Sequence, residues 1–209
     1  MEDKTLSIFP DDGESRAEIP DNYPTVYVVR VKVNGRSMRF RPIHPGDNDR
    51  LIRLFSTFSK ETIFHRFFHT VQLRRSYIRR LTNVNYFPHM ALVSEELKDG
   101  MPLITGVARY NAPADGEPGV AEAATVVGDP YQGRGIGTAL LNYMFFVARE
   151  QGFKKLYGLV HFDNRVVPVV VSKLQQIGIN HSIVDTGTEL RYEFDLSNPV
   201  EHSLYEFEE

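Results

Sequence analysis

The chain has 209 residues, which is most economically one domain with extensions. Its composition, 42% hydrophobic and 11% aromatic, is enough for a substantial core, and its formal charge of −3 argues against general nucleic-acid binding. Cysteine is absent, which excludes disulfides and thiolate chemistry and fits an intracellular location. The acidic N-terminus is unlike a secretory signal, and no apolar run reaches the ~18 residues of a membrane helix. We therefore expect a cytoplasmic protein without a membrane partner.

The predicted domain begins with two alternating runs after a polar arm. Residues 1–22 are acidic and lack periodicity, which predicts a solvated arm. Alternation from Thr25 predicts a strand extension over 23–36. The pair Asn34-Gly35 lies between two such runs and predicts a hairpin whose second strand ends at Pro42.

Three short helices are predicted next, from apolar residues at helical spacing. They carry, in turn, Leu51, Ile52, Leu54, Phe55 and Phe58; then Ile63, Phe64, Phe67 and Phe68; then Tyr77, Ile78 and Leu81. The same region is basic, with Arg66, Arg74, Arg75, Arg79 and Arg80. These charges favour either a solvated face or a docking surface for an acidic patch on a protein partner.

The remaining elements alternate between strands and helices. Strands are predicted over 89–94, 103–110, 123–127 and 155–160, helices after 137 and over 164–177, and a final hairpin over 183–186 and 189–196. An acidic and loose tail is expected over 197–209, which leaves a single domain over 23–196. The order ββααα–ββ–β–α–β–α–ββ predicts a mixed α/β fold, with helices on both faces of a mixed sheet.

A glycine-rich turn lies at the centre of this pattern. The segment passes from a strand into Gln132-Gly133-Arg134-Gly135-Ile136-Gly137 and then into a helix. Glycines let the backbone approach a ligand closely, and the free N–H groups of a first helical turn favour an anion. This pattern predicts a phosphate-bearing ligand. The dinucleotide fingerprint does not fit glycines at 133, 135 and 137, and the P-loop motif is absent.

This turn resembles the Q-x-x-G-x-G pyrophosphate turn of the GNAT superfamily of N-acetyltransferases. Gln132, Gly135 and Gly137 occupy the defining positions, and the resemblance covers roughly residues 37–196. It implies the GNAT fold, a central mixed and mostly antiparallel sheet with helices on both faces, here with an added N-terminal hairpin strand. It also implies acetyl-CoA as co-substrate and no metal.

The resemblance assigns donor-binding roles residue by residue. The pyrophosphate would be bound by Gln132, Gly133, Arg134, Gly135, Ile136, Gly137 and Thr138, the thioester oxygen by the N–H of Val126, and the pantetheine arm by Val127, Gly128 and Asn164. The helix after Asn164 reads NRVVPVVVSKLQQIG and lacks the tyrosine that many relatives use as the acid for the leaving thiolate. Ser172 is its only hydroxyl, so no general acid is assigned.

Glu122 is the candidate catalytic base. It precedes Gln132 by ten positions, the spacing found in lysine acetyltransferases of the superfamily. The alternative is an edge carboxylate without a catalytic role. A lysine amine has a pKa of about 10.4 and must lose a proton before it attacks a thioester, which a carboxylate at the mouth of the cleft can accept. Because no cysteine can carry the acyl group, direct attack in a ternary complex is expected.

Other segments resemble the catalytic domain of bacterial Pat-type protein lysine acetyltransferases. They are residues 41–68, 81–94 and 106–110, rich in phenylalanine and arginine and containing an N-V-N-Y sequence. The resemblance implies a protein lysine as acceptor, with AMP-forming acyl-CoA synthetases as candidate targets. Two alternatives stay open: acetylation of a small amine, and a non-catalytic acyl-CoA sensor that binds partners through its basic face. His65 and His69 lie one helical turn apart but lack a third ligand, so no metal site is predicted.

Overall fold

The computed structural model describes residues 19–68, 74–98, 100–198 and 204–208. Its strands are β1 (Val29–Val33), β2 (Arg36–Pro42), β3 (His89–Lys98), β4 (Met101–Asn111), β5 (Val120–Val127), β6 (Lys155–Val160), β7 (His181–Asp185), β8 (Leu190–Asp195) and β9 (Glu206–Phe207). Its helices are α1 (Asn48–Phe55), α2 (Lys60–Phe67), α3 (Arg75–Thr82), α4 (Ile136–Glu150) and α5 (Val166–Gln176). The predicted mixed α/β order is confirmed, with β9 added.

One sheet of nine strands contains all the strands, in the order β7-β8-β6-β5-β4-β3-β2-β1-β9. Every neighbouring pair is antiparallel except β5 and β6. The parallel pairing joins only residues 120–122 to 155–157, and within the described chain β5 continues to Val127 with no partner on that side. A slot therefore opens between β5 and β6.

Helices cover both faces of the sheet, as expected for a fold of this class. Strand residues alternate in side-chain direction, so Leu92 of β3 joins the cluster under α4 and α5, whereas its neighbour Val93 joins the cluster under α1, α2 and α3. Helix α4 is the most buried, since its sides contact both the sheet and α5. None of the described helices is both long and apolar enough to cross a lipid bilayer.

The hairpin between β1 and β2 contacts the glycine turn. Asn34 and Gly35 both have positive φ, 49° and 76°, as the predicted two-residue turn requires. The Asn34 side chain donates a hydrogen bond of 2.9 Å to the carbonyl oxygen of Arg134. The added hairpin thus supports the turn that begins α4.

A buried charge cluster fixes α1 against the sheet. Arg41 donates two hydrogen bonds of 2.7 Å to the Asp47 carboxylate and one of 2.5 Å to Glu95, and all three side chains are buried. Burial opposes ionisation of both acids, but the hydrogen bonds and charge of Arg41 lower the pKa of Asp47 and of Glu95 below their usual values. The cluster therefore persists as ions inside the fold.

The expectation of a loose C-terminal tail is wrong for residues 204–208. Strand β9 pairs with β1, where Phe207 lies opposite Val31. Tyr205 is buried and its ring packs against Phe40 and Tyr143. Aromatic residues between the acidic ones supply the apolar surface that anchors this segment. The predicted N-terminal arm falls mainly on residues 1–18, which lie outside the described residues, as do 199–203 and 209.

Candidate active site

The glycine turn presents a row of backbone donors at the start of α4. Gly133 and Gly135 have φ of 72° and 83°, a conformation that glycine adopts without strain. The first α-helical hydrogen bond runs from the Ala139 N–H to the Gly135 carbonyl. Among the described residues, no acceptor bonds the N–H groups of residues 133–138. A cradle for an anion results, on the positive end of a 15-residue helix.

Gly135 cannot be replaced without cost. An added Cβ would lie 2.7 Å from the Asn34 side-chain nitrogen, and the positive φ disfavours any other residue. Thr138, in the first turn of α4, is buried apart from a small exposed fraction.

Side chains around the turn hold its shape. The Gln132 amide nitrogen donates to the Val127 carbonyl at 3.1 Å and to Asp129 Oδ1 at 3.2 Å. Asp129 in turn accepts from the Thr62 hydroxyl at 2.7 Å and from the Ser59 N–H at 2.9 Å, which connects the turn to α2. Sequence analysis missed Asp129, although its place directly before a turn proline was a usable signal.

Arg134 folds back onto the protein. Its guanidinium donates to the Pro130 carbonyl at 2.6 Å, lies 3.8 Å from Glu96 Oε2 and stacks over the Tyr131 ring at 5.5 Å. The guanidinium therefore lies beside the cradle and packs against the turn. The predicted contribution of Arg134 to anion binding stays a prediction.

The slot between β5 and β6 contains the predicted pantetheine contacts, with one limit. The Gly128 N–H donates to the Thr105 carbonyl at 2.9 Å, and its carbonyl accepts from the Tyr131 N–H at 2.8 Å. Both backbone groups of Gly128 are thus already bonded, the N–H to β4 and the carbonyl to the turn, and the Val127 carbonyl is bonded to Gln132. The predicted role of the Val126 N–H is wrong: because Gly128 bonds to Thr105, the next hydrogen-bonded pair of this antiparallel ladder joins Val126 to Val107, so the Val126 N–H faces β4 and not the slot.

Asn164 caps α5. Its side-chain oxygen accepts from the N–H groups of Val166 and Val167, both at 3.0 Å. The amide nitrogen bonds to no residue in the described part of the chain. Asn164 is therefore held in the loop between β6 and α5, across the slot from β5.

Glu122 lies at the closed end of this slot. Its side chain is exposed and projects from the face of the sheet that carries α1, α2 and α3. It stands opposite Asn111 of β4 and Tyr157 of β6. Burial and the charge of Glu122 raise the pKa of Tyr157, which places the Tyr157 hydroxyl near the Glu122 carboxylate. Tyr157 was not predicted as a site residue, because only the strand register brings it next to Glu122.

Helix α2 meets the β6–α5 loop beside the same slot. His65 Nε2 lies 3.1 Å from Asp163 Oδ1, and His161 Nδ1 lies 2.5 Å from the same oxygen. The hydrogen bonds from His161 and His65 lower the pKa of Asp163. The rings of Phe64 and His161 pack edge to face at 4.9 Å. We call these four residues the clasp; His69, the other candidate of the histidine pair, lies outside the described residues.

Two arginines lie on the α2 side of Glu122. Burial lowers the pKa of Arg66, against the opposing effects of Tyr77 and Glu122. Burial and the charge of Arg66 lower the pKa of Arg109 to about 10, and Arg109 donates to the Leu81 carbonyl at 2.6 Å. Arg66 is thus partly buried near the candidate base, whereas Arg79 and Arg80 are exposed.

Comparison with known proteins shows the family to which a chain with this geometry belongs. Residues 51–167 match the model of the Acetyltransferase (GNAT) family, and this span includes Glu122, the glycine turn and Asn164. The chain belongs to that family. It is an N-acetyltransferase of the GNAT type, as the motif at 132–137 predicted.

Individual relatives point in the same direction. The chain is similar to Acetyltransferase PA5475 of Pseudomonas aeruginosa, 28% identical over 146 residues, which is 69% of this chain and 77% of that protein. It is also similar to Acetyltransferase Pat of Mycolicibacterium smegmatis, 30% identical over 162 residues, which is 78% of this chain. The match spans 47% of that Pat, so about half of its length has no counterpart in the match.

A solved structure supports both the fold and the branch. The GNAT domain of S. lividans PAT is 27% identical, with a TM-score of 0.72 over 83% of this chain and 99% of that domain. The predicted GNAT fold and the resemblance to the Pat catalytic domain are confirmed. The roles of the individual site residues stay predictions.

Proposed function

We propose that the protein transfers the acetyl group of acetyl-CoA to the ε-amine of a protein lysine, with Glu122 as general base. The observation that carries this proposal is that Glu122 and the donor cradle lie along the same slot between β5 and β6. The cradle follows the end of β5, and Glu122 stands where β5 and β6 cease to pair. A donor bound at one would bring its acyl group toward the other.

The donor would be held by backbone groups. The free N–H groups of residues 133–138 suit a pyrophosphate, and the unpaired edge of β5 suits an extended pantetheine arm that pairs like another strand. The N–H groups of Thr125 and Val127, which face the slot, are the proposed donors to the thioester oxygen, where negative charge develops. The side-chain amide of Asn164 would contact the arm from the opposite wall.

The acceptor would be activated by a carboxylate. Glu122 attracts the lysine ammonium and takes its proton, directly or through one water. The positive charge of Arg66 near Glu122 also disfavours the ammonium form of the incoming amine. The free amine forms a bond to the acetyl carbon, the carbon–sulfur bond breaks, and its electron pair leaves with the CoA thiolate. The attacking nitrogen loses its second proton to water, which leaves the neutral amide.

The thiolate side has no assigned acid. Ser172 is the one hydroxyl of α5, and its side chain is exposed. We propose that the thiolate leaves without a protein acid, since it is a fair leaving group by itself and can take a proton from water.

A protein acceptor is favoured over a small polyamine. The surroundings of Glu122 carry Arg66 and Arg109, whereas a polyamine site would need several acidic residues. The similar proteins named Pat support the same choice. AMP-forming acyl-CoA synthetases are the proposed targets, in the cytoplasm.

The test combines the purified protein, acetyl-CoA and a cell lysate, with acetyl-lysine sites identified by mass spectrometry. We expect new acetyl-lysine on an acyl-CoA synthetase, absent with the Glu122→Gln variant. Turnover with small amines alone would favour the small-molecule alternative. Acetyl-CoA binding without turnover on any amine would leave the protein as an acyl-CoA sensor.

A further inference from the structure

We propose that Tyr157 is a positioning residue that holds the Glu122 carboxylate toward the acceptor, and that Arg191 holds Tyr157. This inference rests on the proposed role of Glu122 as base. It assigns to β6 and β8 a part in the reaction that no glycine-turn motif contains.

The strand register brings the two side chains together. Glu122 and Tyr157 form the last parallel pair before β5 and β6 separate. Partners in register point to the same face of a sheet, and this face is opposite the one covered by α4 and α5. The Tyr157 side chain therefore lies beside that of Glu122 at the point where the slot begins.

A row of charges keeps the Tyr157 ring in place. The Arg191 guanidinium carbon lies 3.8 Å from the centre of the Tyr157 ring, a close cation–π contact. Arg191 Nε lies 2.9 Å from Glu193 Oε1, and Lys155 Nζ donates to Glu193 Oε2 at 3.2 Å. Alternation along β6 and β8 puts these four side chains on one face, and together they restrict the rotation of the ring.

The chemistry of the pair fits positioning of a base. Burial and the Glu122 charge raise the pKa of Tyr157, so its hydroxyl keeps its proton at neutral pH and is available as a donor to the carboxylate beside it. An exposed glutamate otherwise has several rotamers to lose when it engages a substrate. With one oxygen held by Tyr157, the other is directed to the ammonium of the acceptor.

The decisive variant is Tyr157→Phe, which removes the hydroxyl and keeps the ring. We expect kcat to fall about 10-fold with an unchanged KM for acetyl-CoA, because a hydrogen bond to a charged group is lost. A merely structural role would raise KM for acetyl-CoA or lower stability rather than reduce kcat alone.

The matched control is Tyr192→Phe on β8, whose side chain is buried on the opposite face of the sheet. It should leave kcat unchanged. Arg191→Gln should give a smaller loss of about threefold, because the ring is freed while the hydroxyl remains. Wild-type kcat in Tyr157→Phe, with an inactive Glu122→Gln, would overturn this inference and leave the proposed function standing. Full activity of Glu122→Gln would overturn both.

Discussion

The donor side and the acceptor side of the slot are built in different ways. The donor side is one continuous segment, residues 127–138, and it offers backbone N–H groups that a turn and a helix start leave free. The acceptor side is assembled from β5, β6, β8, α2 and a loop, and it offers side chains. Backbone sites depend on conformation, whereas side-chain sites depend on register and packing. The two sides should therefore respond differently to substitution.

Glu122→Gln should separate the two sides most sharply. We expect turnover to fall by about 100-fold or more, the usual contribution of a general base, while acetyl-CoA affinity stays unchanged. Steady-state CoA release and calorimetric binding of acetyl-CoA measure the two effects. Loss of acetyl-CoA affinity in this variant would mean that the sides are not independent.

The buried charge cluster that holds α1 against the sheet should show a large loss of stability when one of its charges is removed. Asp47→Ala leaves Arg41 without its bidentate partner and should lower the free energy of unfolding by about 3–5 kcal/mol. Denaturant unfolding measures this loss. Asp49→Ala, at a half-buried residue with an ion pair of 3.9 Å to Arg75, is the control and should cost under about 1 kcal/mol.

The same cluster predicts how stability depends on pH. Because the folded-state pKa values of Asp47 and Glu95 are lowered, both groups stabilise the fold above their ordinary values of 3.8 and 4.5. This stability should be lost as pH falls below about 4 through the lowered values. Thermal unfolding from pH 7 to pH 3 tests it, and Asp47→Asn should show a flatter acid dependence. Equal slopes for both proteins would contradict the assignment.

Gly135→Ala should damage the donor side. The substitution forces Ala into positive φ, at a cost of about 1–2 kcal/mol, and pushes its Cβ toward Asn34. We expect acetyl-CoA affinity to fall about 10-fold, as the cradle shifts by a fraction of an ångström. Gly152→Ala is the matched control: its φ is 89°, and open space surrounds it after α4. It should lose similar stability and keep full affinity for acetyl-CoA.

The clasp should give the smallest effect. Asp163→Asn weakens its contacts with His65 and His161, which lie at an exposed carboxylate. Exposed ion pairs contribute about 0–1 kcal/mol, so unfolding should change little and KM for acetyl-CoA at most about threefold. Melting curves and initial rates check both. A large fall in kcat would place the clasp in the reaction itself.

Local sequence predicted most of the turns and helix starts of the fold, but few of the side-chain contacts on the acceptor side. The turn at Asn34-Gly35 and the start of α2 behind Ser59 follow from residues within a few positions of each other, as seen when Ser59 accepts from the Thr62 N–H. For the basic helices, the sequence did not distinguish the arginines that are partly buried from those that are exposed. Arg66 proved partly buried near Glu122 and Arg79 exposed, which a charge pattern alone cannot distinguish.

The sequence by itself determined the glycine turn, the candidate base ten positions before it and the family to which they belong. These features are local, because φ values, helix starts and strand alternation are set by neighbouring residues. The tertiary structure alone decided that Tyr157 lies beside Glu122, that His65 meets Asp163 and that β9 anchors the C-terminal segment. Those contacts join residues far apart in the chain, and only strand register and packing bring them together.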